Sequence, residues 1–374
     1  NMIPISDLTK QHAPIRKEIE KALAQILDNC DFILGKESQL LEKDVSSYCE
    51  VKFAVGVSNG TDAIRLALVV LGIKPGDGVI CPAFTYYATA GAVSSIGAIP
   101  VFCDINPETY TISIPDLEKI LNKKSKISIK AVIPVHLYGQ CADMDPILKI
   151  ARKYKIAVIE DNAQAFGAKY KNKFAGTIGD CGTLSFYPGK NLGACGDAGM
   201  VLTNRQDVYE KILLYRNQGN KEKYFHTVLG FNHRMDTIQA AILRIKLKYI
   251  DKWNRKRVQI ASYFDKGLKN TGIHIPKVAG YNTHIYHQYV LRMNTSSDNL
   301  IAYLRENGID ARVYYPVPLH LQECFKYLGY VEGDFPVSEE ASKNILAIPV
   351  YPDLTPVECR HIIKTIKEFL CRKK

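Results

Sequence analysis

The feature that most limits what this chain can become is a succession of short, continuously apolar runs separated by stretches with helical periodicity. Phe53–Val57, Val79–Cys81, Pro100–Cys103, Ala131–Leu137, Ala157–Glu160, Thr183–Phe186 and Gly199–Thr203 are such runs. Helical segments fall between them over Thr61–Leu71, over Ala88–Ile96 and from Ile114 onward. Strands that are apolar throughout, rather than alternating, are buried on both faces. The expectation is therefore an α/β fold with a mostly parallel central sheet and helices on both faces. Ligands of such sheets gather at the carboxyl ends of the strands. The residues just after each run carry the functional argument.

Four of those ends stand out. After Val57 comes Ser58-Asn-Gly-Thr61 and then a helix. Gly60 permits a tight turn there, and the Gly60 and Thr61 amides could seat a phosphate, although Ser, Asn and Thr are also ordinary helix caps. After Cys81 comes Phe84-Thr-Tyr86, which places an aromatic where it could stack on a flat ring or simply pack into the core. Asp161 follows the very apolar Ile156-Ala-Val-Ile159. Burying that carboxylate demands a cationic partner, either a protonated pyridine nitrogen or a structural arginine. Ser185 closes the Thr183–Phe186 run, and the turn Pro188-Gly189 then presents Lys190 among glycines. Lys190 reads as a solvated loop lysine or, if desolvated, as an amine able to form a Schiff base. A phosphate seat, an aromatic plate, a buried carboxylate and a nucleophilic lysine together describe a pyridoxal phosphate site.

Other chemistries lack their signals. Gly193, Gly196 and Gly199 are spaced Gly-x-x-Gly-x-x-Gly, not as a dinucleotide fingerprint, and Gly189-Lys190 is followed by Asn191 rather than Ser or Thr. The ten cysteines are scattered, with no Cys-x-x-Cys and no ligand spacing with histidine, so neither a metal site nor a disulfide framework is expected and a reducing, cytoplasmic setting is. The formal charge of +11 is spread over helices and loops without a basic block, which argues for an anionic small substrate rather than nucleic acid. No run is apolar for long enough to span a bilayer.

Residues 13–249 are expected to form the large α/β domain, starting with helices over Ala13–Leu27 and Gln39–Tyr48. Met235 to about Lys266 lacks Gly and Pro and reads as one long helix linking the domains. Residues 250–374 form a smaller α+β domain with elements at Tyr289–Arg292, Asn299–Glu306, Ala311–Tyr315 and Cys359–Leu370, joined by the extended segment 1–12.

Several motifs carry a family likeness. They are Ser58-Asn-Gly-Thr-Asp-Ala63, Pro82-Ala-Phe-Thr-Tyr-Tyr-Ala-Thr89, Glu160-Asp-Asn-Ala-Gln-Ala165, Ser185-Phe-Tyr-Pro-Gly-Lys-Asn-Leu-Gly193, Gly230-Phe-Asn-His-Arg-Met-Asp236 and Tyr315-Pro-Val-Pro-Leu-His-Leu-Gln322. Through them the chain resembles, over nearly its whole length, the DegT/DnrJ/EryC1/StrS family of pyridoxal-phosphate aminotransferases acting on nucleotide-linked keto-sugars. The resemblance implies fold type I and a homodimer with shared active sites. It makes Lys190 the Schiff-base lysine and proton carrier, Asp161 the partner of the pyridine nitrogen, Gln164 a contact of the ring hydroxyl and Tyr86 the stacking ring. Gly60, Thr61 and Ser185 would hold the phosphate with Asn232 of the neighbouring subunit, while Tyr187, Tyr314, Tyr315 and, across the interface, Lys223 would contact the nucleotide-sugar.

Glutamate is the implied amino donor. The lysine region looks most like members aminating C-3 of a dTDP-linked 3-keto-6-deoxyhexose for surface glycans, with a UDP-linked 3-keto branch nearly as similar. The chain departs from the family at Tyr314, where relatives usually carry His, and at Asn162, where they carry a small residue. Dehydratase members of the same fold replace the lysine with histidine, and a non-catalytic regulator would be expected to lose Lys190 or Asp161; both are present here.

Overall fold

The computed structural model describes residues 2–372. In its first part, strand β1 (Phe53–Val57) is preceded by helices α1 (Leu8–His12), α2 (Arg16–Asn29) and α3 (Lys36–Tyr48). There follow α4 (Gly60–Val70), β2 (Gly78–Pro82), α5 (Ala88–Ser95), β3 (Ile99–Cys103), α6 (Ile114–Asn122), β4 (Ile129–Val132), α7 (Met144–Tyr154) and β5 (Ala157–Asp161). A small hairpin, β6 (Lys169–Tyr170) and β7 (Lys173–Phe174), leads to β8 (Cys181–Ser185) and β9 (Gly199–Thr203). After α8 (Gln206–Arg216) a second hairpin, β10 (Asn220–Glu222) and β11 (Phe225–His226), precedes α9 (Thr237–Leu247) and α10 (Ile250–Leu268). The chain closes with β12 (Tyr289–Arg292), α11 (Asp298–Glu306), α12 (Pro336–Asn344), β13 (Ile345–Ile348) and α13 (Pro356–Arg372).

Seven strands form the central sheet in the order β1-β9-β8-β5-β4-β2-β3. The pairings β8–β5, β5–β4, β4–β2 and β2–β3 are parallel, and β9 runs against both of its neighbours. Because β9 alone is reversed, β1 points the same way as β2, β5 and β8. Their carboxyl ends and the amino end of β9 therefore share one edge, and that shared edge positions the site. The mostly parallel sheet matches the expectation from the apolar runs. Val55, Val57, Val79, Ile159 and Val201 are sealed in one core beneath α4 and α5, while Leu184, Phe186, Met200 and Leu202 join α2, α3 and α9 in another.

A separate core gathers Ala261, Phe264 and Leu268 of α10, Leu300 and Leu304 of α11, the β12–β13 pair and Ile362 and Ile366 of α13. Ile3 enters this core as well. Its N–H donates to the Gly308 carbonyl at 2.7 Å, and its carbonyl accepts from Asp310 at 2.9 Å.

Two expectations need correction. Met235 to Lys266 is not one helix: α9 ends at Leu247 and α10 begins at Ile250. It is α10 itself that passes from the sheet-side core, where Ile250 and Trp253 lie with α9, to the separate one from Ala261 onward. Ala311–Tyr315 makes a single bridge, Arg312 to Ala347, instead of a strand. Its tyrosines turn into the cavity described next, which a regular ladder would not allow.

Candidate active site

A cavity of about 720 Å³ opens at the shared strand edge. Of the twelve residues singled out from the sequence, ten line it: Gly60, Thr61, Tyr86, Asp161, Gln164, Ser185, Tyr187, Lys190, Tyr314 and Tyr315. Asn232 and Lys223 do not. Asn232 is exposed beside α8, and Lys223 sits at the exposed tip of the β10–β11 hairpin, its amine 5.3 Å from the Tyr224 ring.

The β1–α4 turn is built for close approach. Asn59 caps α4, its Oδ1 accepting from the Asp62 N–H at 2.8 Å. A Cβ on Gly60 would stand 2.6 Å from Ser185 Cβ and 3.1 Å from its Oγ, so only glycine lets the helix start lie against the end of β8. The Gly60 and Thr61 amides and the Ser185 hydroxyl thus converge on one corner of the cavity. The carboxylate of Asp62, beside that corner, is occupied elsewhere. It accepts from Ser58 at 2.6 Å and faces Arg65 at 3.0 Å and His233 at 3.2 Å.

Asp161 ends β5 and is only 5% exposed. Its Oδ2 accepts from Thr89 Oγ1 at 2.8 Å and its Oδ1 from the Ala163 N–H at 3.1 Å. Among the described residues no lysine, arginine or histidine forms an ion pair with it. Of the two partners the sequence left open, a structural arginine is therefore absent. An unpaired carboxylate at the cavity floor calls for a cation from a ligand. The adjacent Glu160 points to the opposite face of β5. There it is fully buried, accepts the N–H groups of Gly176, Ile178 and Gly179 at 2.9, 2.6 and 2.7 Å, and meets His136 at 2.8 Å.

Lys190 follows a turn closed by its own N–H on the Tyr187 carbonyl at 2.8 Å. The residue is half-buried and open to the cavity, yet protein surrounds it closely enough to strip its amine of water. Burial pushes that amine down to about 8, and the Asp161 carboxylate pulls against the shift. About a tenth of such an amine is unprotonated at neutral pH, far more than for an ordinary lysine, so it can serve as a nucleophile. Its place in the cavity wall argues against the solvated-loop reading. Tyr86, 55% exposed, presents its ring 5.9 Å from that of Tyr315. Gln164 is engaged at both ends of its amide, accepting from the Tyr138 N–H at 2.9 Å and donating to the Tyr315 hydroxyl at 2.8 Å.

These features fit pyridoxal phosphate: an anion corner that a Cβ would close, a buried carboxylate without an ion-pair partner and suited to a pyridinium, a desolvated lysine and an open aromatic plate. Among the described residues no group of histidines, cysteines and carboxylates could hold a metal, and no helix is long and apolar enough to cross a membrane. Residues 13–367 match the DegT/DnrJ/EryC1/StrS aminotransferase family. The chain belongs to that family. It is a sugar aminotransferase, and pyridoxal phosphate is the cofactor of its class.

Curated relatives of the aminotransferase match end to end. A pleiotropic regulatory protein of Geobacillus stearothermophilus is 43% identical, with 98% of each chain covered. A UDP-N-acetyl-3-dehydro-α-D-glucosamine 3-aminotransferase of Acidithiobacillus ferrooxidans is 39% identical over 98% of both. A dTDP-3-amino-3,6-dideoxy-α-D-galactopyranose transaminase of Aneurinibacillus thermoaerophilus is 38% identical over 98% of this chain and 99% of its own. Among solved structures, DesV of S. venezuelae in complex with a ketimine intermediate superposes with a TM-score of 0.95 at 37% identity, covering 99% and 98% of the two chains. NtdA of Bacillus subtilis with bound PMP superposes at 0.87 with 33% identity, covering 95% of this chain and 82% of its own.

Among the cavity residues that escaped the sequence reading are Asp197, Arg257 and His287. Asp197 sits beside the glycines that drew attention to the lysine loop. Arg257 and His287 lie on a helix and a loop remote in sequence from every strand end, and no local pattern marks them.

Proposed function

We propose that the enzyme moves an amino group from glutamate to C-3 of a dTDP-linked 3-keto-6-deoxyhexose, producing a dTDP-3-amino-3,6-dideoxyhexose. The observation that carries the chemistry is the presence in one cavity of a desolvated Lys190 amine and an Asp161 carboxylate that has hydrogen-bond donors but no ion-pair partner among the described residues. Gly60, Thr61 and Ser185 would hold the cofactor phosphate, Tyr86 would offer its ring as a stacking plate, Gln164 would contact the ring hydroxyl, and Asp161 would keep the ring nitrogen protonated. When bound, the cofactor supplies an electron sink for the charge left on a substrate carbon after deprotonation. Lys190 Nζ would remove that proton and return it on the far side of the exchanged nitrogen, a 1,3-shift. Tyr187, Tyr314 and Tyr315 border the mouth and contact the sugar nucleotide. In a homodimer, Asn232 and Lys223 reach the neighbouring subunit's cavity, which accounts for their exposure in a single chain.

Both named relatives that bear on substrate act on the 3-position, one with a dTDP and one with a UDP carrier. This supports the C-3 assignment and favours, as the second reading, a UDP-linked 3-keto sugar or its uronic acid. The test is a glutamate-dependent assay against dTDP-3-keto-6-deoxyhexoses of both C-4 configurations and a UDP-3-keto sugar, with products read by mass and NMR. Amination of the UDP sugar alone overturns the dTDP assignment. Lys190→Ala is expected to abolish turnover while still binding cofactor, and an unchanged rate in that variant would sink the lysine's role.

A further inference from the structure

Asp62, in the first turn of α4 and 9% exposed, braces the anion corner from the side. Its Oδ2 accepts from Ser58 Oγ at 2.6 Å and from Asn59 Nδ2 at 2.8 Å, and its Oδ1 accepts from Arg65 at 3.0 Å. These partners all belong to the β1–α4 turn or to α4 itself. One neighbour comes from far along the chain. His233 Nδ1 stands 3.2 Å from Asp62 Oδ2, and the residue is 8% exposed.

The segment that carries His233 is fastened to the end of β1 by a second route. The His233 N–H donates to the Arg216 carbonyl at 2.9 Å. Arg216 in turn donates to the Gly56 carbonyl at 2.7 Å and to Glu42 at 2.5 Å, and Glu42 accepts from the Gly56 N–H at 2.9 Å. The Phe231 ring lies flat against the imidazole, with centroids 4.8 Å apart. Burial pulls the imidazole below its ordinary value, while Asp62 and the Asn232 backbone pull the other way, so both stand within reach of one ring. Its Nε2 is enclosed without a partner, so polar contact is made from the Nδ1 side. Asn232, one residue earlier, bridges Asn217 through its backbone and is itself exposed. The β1–α4 turn and residues 231–233 are therefore held as one unit.

We propose that His233 is a positioning residue that couples the two cofactor sites of a dimer. Through Asp62 it ties its own subunit's phosphate corner to Asn232, which serves the neighbouring corner. This rests on the shared-site reading above, in which Asn232 reaches the neighbouring subunit's cavity, and adds the link between the sites. A phosphate seated on the Gly60 and Thr61 amides fixes the first turn of α4, and with it Asp62 and the segment leaning on Asp62. The neighbouring corner then receives an Asn232 that is already ordered. The second cofactor binds without the cost of ordering it, and the effect is the same in either direction.

The chain, stripped of cofactor, is titrated with pyridoxal phosphate. Occupancy is read at the cofactor's absorbance, and light scattering gives the subunit number at the same concentration. The wild-type dimer should take up its second cofactor about tenfold more tightly than its first, which gives a Hill coefficient of about 1.5. In His233→Ala the coefficient should fall to about 1, with the first step weakened less than about threefold. His233→Asn, which restores an N–H near the place of Nδ1, should recover part of the coupling. Asn232→Ala should lose the coupling although the Asp62 contact stays in place.

A dimeric wild type whose two steps are equal overturns the proposal. A His233→Ala variant that keeps the wild-type coefficient overturns it too, and a uniform loss of affinity at both steps then marks general loosening. Should that variant fail to fold, Asp62→Asn takes its place, since the amide oxygen still accepts from Ser58 and Asn59. A wild-type coefficient in Asp62→Asn is sufficient to overturn the proposal. A wild type that is monomeric yet binds cofactor fully instead defeats the shared-site reading itself.

Discussion

Lys190 is held in a state that a free lysine reaches only in alkali. Its folded value lies below the ordinary 10.5, so burial disfavours the charged form. The neutral, reactive amine should grow in as pH rises through about 8, and the destabilisation from burying the charge is relieved over the same range, between about 8 and 10.5. Asp161 opposes the shift, so Asp161→Asn should move the midpoint lower still. The pH dependence of Lys190 labelling by acetic anhydride in apo-protein, read by mass spectrometry, checks both statements; a wild-type midpoint near 10.5 would contradict them.

Gly60→Ala should weaken cofactor binding by an order of magnitude or more while leaving the fold intact. The new methyl forces Ser185 away from the helix start. Equilibrium titration of apo-protein with pyridoxal phosphate measures it. At this scale the sequence was readable wherever chemistry sits directly after an apolar run, as with Asp161 and Lys190. It was silent on Arg257, which reaches the cavity only through the fold.

In β5, alternation puts neighbouring carboxylates to different uses. Asp161 faces the cavity, while Glu160 pins residues 176–179 from behind. Glu160→Ala would strand three buried N–H groups and His136. It should cost on the order of 3–5 kcal/mol, read from urea unfolding of the holoenzyme. A loss below about 1 kcal/mol would mean that the loop finds other partners. Element positions were largely legible because continuous apolar runs have few alternatives. The α9–α10 break was not, since no Gly or Pro marks it anywhere in Met235–Lys266.

For the whole molecule, the exposed Asn232 and Lys223 make a prediction about subunits. If Asn232 serves the partner's cavity, Lys190→Ala and Asn232→Ala chains are each impaired, but mixed dimers carry one intact site. Co-refolding equal amounts should restore about a quarter of wild-type activity, from half of the dimers having one good site of two. Mixtures no better than the weaker parent would place Asn232 outside any shared site. The family resemblance alone suggested such a division; the exposure of the two residues in one chain does not mark it.

The reversed β9 leaves the ends of β1, β2, β5 and β8 on one edge, and Tyr187 and Tyr314 border that edge from loops. Tyr314 is carried on a stretch of chain remote from Asp161 and Lys190, whereas Tyr187 shares the lysine's own turn. A designer could therefore rework the cavity mouth at 314 over an untouched floor, while any change at 187 would be felt at the lysine. Lineages diverging by drift could vary the mouth at 314 in the same way.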